Sequence, residues 1–456
     1  VCLIPLALAW LAALPNSTLA DGAFADSQTI LLPKTQPQRI VASSDVSGLL
    51  VSDDDGAHWS WICESAIGFF AALFQVGPAP AENLYAVTQT GLAVSTDSGC
   101  SWQNPGGVAR YTGDVFPDPN DPLRVLVVSQ AAVTPDSSVL SDLIIESSDG
   151  GRSFDSTKYM TSAASITGVE IARSDANAIY LTMSSTERQH PYIVRSNDAG
   201  ATWTELDLSA QLGRKPFVIR ILAVDPLDAD TLYIRLSDGV HDALAITRDA
   251  GTTLQIALQL AARMTAFLLR SDGALIVAAD DGTSFISSDA GASFSPWSDA
   301  FHMQALAERA GKLYATANSR KDGFSVAVSD DAGEHWQPLL RLDQLRGPLA
   351  CGSLKTQCAD AWQQLKPSLA VLSGAAAGSA APVAQTAEPR DVAGGGCSVT
   401  ASTQRRRLSV GHVCLALCAA LGGTVFRIKR LRHKPARLSS VSDPAMTIES
   451  NRETRT

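Results

Sequence analysis

Charge is scarce in this chain, aromatic rings are scarcer, and basic residues are outnumbered. Of 456 residues 18% are charged and 6% aromatic, and 36 Lys+Arg face 46 Asp+Glu for a net charge of −10. A nucleic-acid partner needs a basic face that displaces counterions, so nucleic acid is excluded as the main partner. The 33 glycines show no triplet period, which excludes a collagen-like rod. No Cys-x-x-Cys or Cys/His spacing suggests zinc, and the one body candidate for a nucleophile elbow, Gly352-Ser353, lacks the flanking residues. No cofactor and no metal is implied. What is present is an apolar content of 45%, too high for a disordered chain and enough for a large core. The length exceeds one small domain unless a repeat absorbs it.

Charge is unevenly spread. Residues 1–396 balance at −18 and residues 397–456 at +8, which predicts that body and tail face different environments. Residues 1–20 form an apolar run followed by small residues, as in a secretory signal, with Ala20 or Ala25 before the cleavage point. Residues 373–396, rich in Ala, Gly and Pro, read as a flexible stalk. Gly394-Gly395-Gly396-Cys397 then precedes an apolar stretch, 408–426, and the basic residues Arg427, Lys429, Arg430, Arg432 and Lys434. Nineteen residues reach about 28 Å as a helix, the thickness of a bilayer core, and basic residues after it stay cytoplasmic. Segment 397–437 resembles the C-terminal sorting tail of myxobacterial surface proteins, the MYXO-CTERM type, which implies Cys397 as a processing or modification site. A polar tail, 438–456, follows. The expectation is an exported protein, held by a single C-terminal transmembrane helix at the cell surface or released after tail processing.

One motif recurs seven times, as Ser/Thr-x-Asp-x-Gly-x-polar-aromatic. Its positions are Ser52, Asp54, Gly56, Trp59; Ser95, Asp97, Gly99, Trp102; Ser147, Asp149, Gly151, Phe154; and Ser196, Asp198, Gly200, Trp203. Then come Thr247, Asp249, Gly251, Leu254; Ser287, Asp289, Gly291, Phe294; and Ser329, Asp331, Gly333, Trp336. Strand-forming residues precede each copy, the carboxylate suits turn N–H groups, and Gly supplies the positive φ of a tight hairpin. The final ring starts the next strand and plugs between sheets, except in the fifth copy. Steps of 43, 52, 49, 51, 40 and 42 residues match one four-stranded blade each, giving an all-β seven-bladed propeller over 28–341. A short extension, 342–372, follows. The aspartates read as structural, since blades hold them apart and no calcium loop is complete.

These copies are identified as Asp boxes, the BNR repeat of the sialidase superfamily. The chain resembles the propellers of sortilin-type receptors and of the photosystem assembly-factor family more than true sialidases. The sialidase Arg-Ile-Pro signature is absent, with Arg39-Ile40-Val41 as its nearest string. Arg110, Glu170 and Arg220 fall on expected inner strands and are the candidate funnel residues. The inner strands of blades six and seven, Met264–Leu269 and Met303–Ala307, carry no carboxylate in this reading. The resemblance implies a non-catalytic binding module for an extracellular glycan or protein. The alternative is a secreted glycoside hydrolase, sialidase-like or endo-glucanase-like, using funnel carboxylates. Loops around 134–142, 185–190 and 237–242 are candidate specificity loops.

Four body cysteines suit an oxidising compartment and two bridges. Cys351 and Cys358 close a short loop and are the expected pair; Cys63 joins Cys100 if their strands lie side by side. No feature of the sequence assigns an oligomeric state.

Overall fold

Stretches such as Leu84–Thr88 and the first five residues of Val125–Ala132 are buried at every position rather than at alternate ones. A strand apolar on both faces needs a sheet on each side of it. A ring of radial sheets supplies that, because each blade is sandwiched between two others. The computed structural model describes residues 27–109, 111–132, 139–185, 190–213, 218–298 and 301–373, and there the expectation of seven blades holds. Six sheets have four antiparallel strands and one has three. In the three-stranded sheet Gln103 bridges Val94 in the outer position.

Each blade consists of consecutive strands, with no strand exchanged between blades. The inner strands are Ile30–Leu31, Leu73–Val76, Thr112–Pro117, Ser165–Ile171, Val218–Val224, Met264–Leu269 and Met303–Arg309. The last of these runs two residues beyond the expected end and carries Glu308, which corrects the reading of blade seven as free of carboxylates. Five inner strands contain a bulge, near Gly113, Thr167, Leu222, Thr265 and Gln304. A bulge twists a strand and re-aims its side chains, and here it turns Thr265 Oγ1 toward the Met303 carbonyl of the next blade, 2.6 Å away.

Alternating strand direction gives the disc two faces. Turns joining first to second and third to fourth strands, including every Ser/Thr-x-Asp-x-Gly box, lie on the box face. Turns joining second to third strands, and the connections between blades, lie on the opposite loop face.

The ring closes through the extension. Residues 346–349 add to the outer strand of blade 1, Ser60–Ile62, in parallel: Trp61 N–H donates to Gly347 O at 2.9 Å and Leu349 N–H to Trp61 O at 2.9 Å. Leu354, Trp362 and Leu369 then pack into the blade 1 core. The four cysteines pair, but as Cys63–Cys358 and Cys100–Cys351, so the expected Cys351–Cys358 loop and Cys63–Cys100 bridge are corrected. The extension crosses the rim of blades 1 and 2, which places each of its cysteines against one of theirs.

Among the described residues no helix is long and apolar enough to cross a membrane. The expected signal segment, the stalk beyond Ser373, Cys397 and the apolar stretch 408–426 lie outside the described residues.

Candidate functional site

The boxes share one geometry. The Ser or Thr hydroxyl donates to the Asp carboxylate, at 2.9 Å for Ser95–Asp97, and accepts the Gly N–H, at 2.8 Å for Gly99. The carboxylate then accepts the backbone N–H and the side chain of the residue four positions on: Ser101 in blade 2, Thr202 in blade 4, and the rings of His58 and His335 in blades 1 and 7. Two consecutive residues adopt positive φ, such as Ala290 at 55° and Gly291 at 84°. A Cβ on Gly291 would stand 2.3 Å from Ile246 of the preceding blade, and one on Gly56 2.9 Å from Leu339 of blade 7. The glycine is therefore required twice, for its φ and for the approach of the next blade's turn.

Hydrogen bonds hold the carboxyls of Asp198, Asp289 and Asp331 down at about 2; the Thr202 hydroxyl leads for the first, the Ser293 hydroxyl for the second and the His335 N–H for the third. A depressed folded value means that stability is complete above the unfolded value near 4 and is lost as pH falls toward 2. The urea midpoint is expected to fall between roughly pH 5 and pH 2.5, and to fall less in the Asp198→Asn/Asp289→Asn/Asp331→Asn variant. Equal falls would show that the boxes do not carry the acid sensitivity. Among the described residues one group, Asp331, Glu334 and His335, gathers three ligand-type atoms within 4.8 Å of one another. Two of its members are exposed, and Asp331 already binds the His335 ring.

The candidate funnel residues are not brought to one place. Arg110 lies outside the described residues. Arg220 sits near the loop-face end of its strand, donating to Asp114 at 3.0 Å and to Thr167 O at 2.7 Å. Glu170 sits near the box-face end of its own strand, where it accepts the Val224 N–H of the next blade at 2.9 Å. Arg220 and Val224 are four residues apart on one strand, about 13 Å. Arg39, of the Arg-Ile-Val string, is buried and spans blades, from Asp53 to the Ser98 carbonyl of the second box.

Glu170 is one of a set of buried carboxylates that tie a blade to its neighbour's backbone. Asp114 accepts Val169 N–H at 3.1 Å, Asp142 accepts Ile166 N–H at 2.7 Å, Asp242 accepts Met264 N–H at 2.6 Å, and Glu308 accepts Ser271 N–H at 2.8 Å. Asp242 also holds Arg235 at 2.6 Å. Burial pushes the Asp114 carboxyl up, against the Arg220 charge and two backbone donors. Sequence reasoning named Glu170 and passed over Asp114, Asp142, Asp242 and Glu308; the signal available for Asp114 was a carboxylate inside an otherwise apolar inner strand.

The loop face carries apolar side chains in the open. Phe69 and Phe70, on the connection from blade 1 to blade 2, are 59% and 70% exposed, and Tyr111, at the start of blade 3, is 62% exposed. Val139, Leu140 and Val240 lie exposed on the turns of blades 3 and 5, within or beside two of the expected specificity loops.

No family model and no curated protein matches the chain. Solved propellers do. The chain is similar to YCF48 bound to D1 peptide, at 15% identity over 50% of this chain and 67% of that one, with a TM-score of 0.35. It is similar to YCF48 from Cyanidioschyzon merolae, at 11% identity over 69% and 97% with a TM-score of 0.44. An ancestral GH74 enzyme is similar at 15% identity over 72% of this chain and 48% of that one, with a TM-score of 0.49, so the chain spans about half of that enzyme's length.

Proposed function

We propose that this chain is an exported, membrane-held Asp-box propeller of the sialidase superfamily, sortilin-like or assembly-factor-like, that binds an extracellular glycan or protein on its loop face without turning it over. One observation carries this reading: Arg220, Glu170, Asp114 and Asp242, the charged groups that chemistry in the channel would draw on, are engaged in holding blades together. The exposed Phe69, Phe70 and Tyr111 supply aromatic contact area on that face, beside the exposed Val139, Leu140 and Val240. The alternative, a glycoside hydrolase, draws support from the same three rings, since sugar faces stack on aromatic side chains. Neighbouring folds include a peptide-bound propeller and an enzyme, so the fold is compatible with either.

The test is a glycan array and a panel of fluorogenic glycosides with the full chain produced in an oxidising compartment. Binding without turnover is expected, weakened about tenfold or more by Phe69→Ser/Phe70→Ser or Tyr111→Ser. Turnover abolished by Glu170→Gln or Arg220→Met in a still-folded protein would replace the binding reading with the hydrolase. Absence of glycan binding would direct the same variants to protein ligands.

A further inference from the structure

On the box face the inner strands end around a hollow of about 120 Å³ at the mouth of the central channel. Its walls include Ile30, Val76, Phe116, Leu268 and Leu306, contributed by five blades. Four charged residues line it as well, Lys34, Arg173, Glu82 and Glu308, and the two signs are not equally engaged.

Glu82 accepts the backbone N–H groups of Lys34 and Thr35 and the Thr35 hydroxyl. Glu308 accepts the Ser271 N–H at 2.8 Å and the Arg270 guanidinium at 3.3 Å. Both carboxylates are thus occupied by the protein's own donors. By contrast, neither the Lys34 ammonium nor the Arg173 guanidinium makes a hydrogen bond or contact ion pair among the described residues. The two cations also feel each other. The Lys34 ammonium is held below the ordinary lysine range, first by the water it loses at the mouth and then by the Arg173 charge, with Glu82 acting in the opposite sense. A chain with an excess of acidic residues thus places two cations that no contact ion pair holds at a hollow whose walls are mostly apolar, with Gln28, Thr29 and Gln75 as further polar lining.

We propose that this mouth binds a small organic carboxylate with a compact apolar body, the carboxylate bridging Lys34 and Arg173 and the body filling the hollow. An apolar cavity of roughly 150 Å³ takes a benzene ring, so a hollow of about 120 Å³ open on one side suits an acid the size of benzoate. The apolar walls strengthen the charge-assisted hydrogen bonds by displacing water from around them. This site lies on the face opposite the one assigned above and stands independently of it.

The experiment is calorimetric titration of the full chain at low salt with benzoate, with benzyl alcohol for the body without the charge, and with sulfate for the charge without the body. Benzoate is expected to bind at one site per chain, at least about tenfold more tightly than either control, and to weaken about tenfold in Lys34→Met and in Arg173→Met. Added salt weakens it further. Neither side chain holds the fold, so both variants are expected to melt with the parent protein. If Arg173→Met melts early, Arg173→Lys keeps the charge and is expected to keep most of the binding. Sulfate binding as well as benzoate would reduce the mouth to an unselective charged patch and overturn the proposal. Benzyl alcohol matching benzoate, or no benzoate binding at all, would overturn it as well.

Discussion

Replacing Cys63 and Cys358 with serine is expected to lower the unfolding temperature by about 5–8 °C, and replacing Cys100 and Cys351 to do about the same. The bridges span 295 and 251 residues, so on the chain-entropy account each removes about 5 kcal/mol of freedom from the unfolded ensemble. Geometry adds to the effect, because no strand is exchanged between first and last blades. Closure rests on the 346–349 strand, on Gly56 seated against Leu339, on Arg309 reaching Asp55 at 3.0 Å, and on the two covalent links. Calorimetry of the parent, both paired variants and the four-cysteine variant checks this. The four-cysteine loss is expected to fall short of the sum, since the two loops overlap along the chain. Melting of both paired variants at the parent temperature would show that the extension is held by packing alone.

Asp114→Ala is expected to destabilise by about 3–5 kcal/mol, because it leaves the Arg220 guanidinium half-desolvated beside an empty socket and the Val169 N–H without its acceptor. Removing both charges, as Asp114→Ala/Arg220→Met, is expected to recover part of that loss, as breaking a buried pair costs more than replacing it. Urea melts of the two single variants and the double variant give the coupling directly. The same set separates two roles for Arg220. A positioning residue loses stability when substituted and couples to Asp114. A residue that meets a ligand would leave the melt unchanged and alter binding or turnover.

The blades were legible because the box compresses a strand end, a left-handed turn and a strand start into eight residues, so each copy announces a hairpin by itself. Ring closure was not legible, because Cys358 meets Cys63 only through the curvature of the whole disc; short separation along the chain misdirected the Cys351–Cys358 pairing, and Cys63 and Cys100 were left to each other. The inner strands of blades five, six and seven were found, but not what the charges on the inner strands do. Glu170 is visible as a carboxylate on an apolar strand, whereas its partner is a backbone N–H, which looks the same at every residue. Glu308 was lost because Glu308-Arg309 resembles the polar end of a strand. Lys34 and Arg173 sit just beyond inner strands and look like solvated turn charges until the ring brings them to one mouth.

The paired cysteines also impose an order on biosynthesis. Cys63 and Cys100 leave the ribosome with the first two blades, and their partners follow only after all seven have been made. Throughout that interval the nearest thiol to each is the other, and the bond they would form is the one absent from the finished protein. The nascent chain is therefore expected to need a thiol–disulfide isomerase, or to be kept reduced until the last blade arrives. Pulse-labelling of a chain truncated after blade 7 would trap the Cys63–Cys100 adduct that the complete chain must avoid or undo.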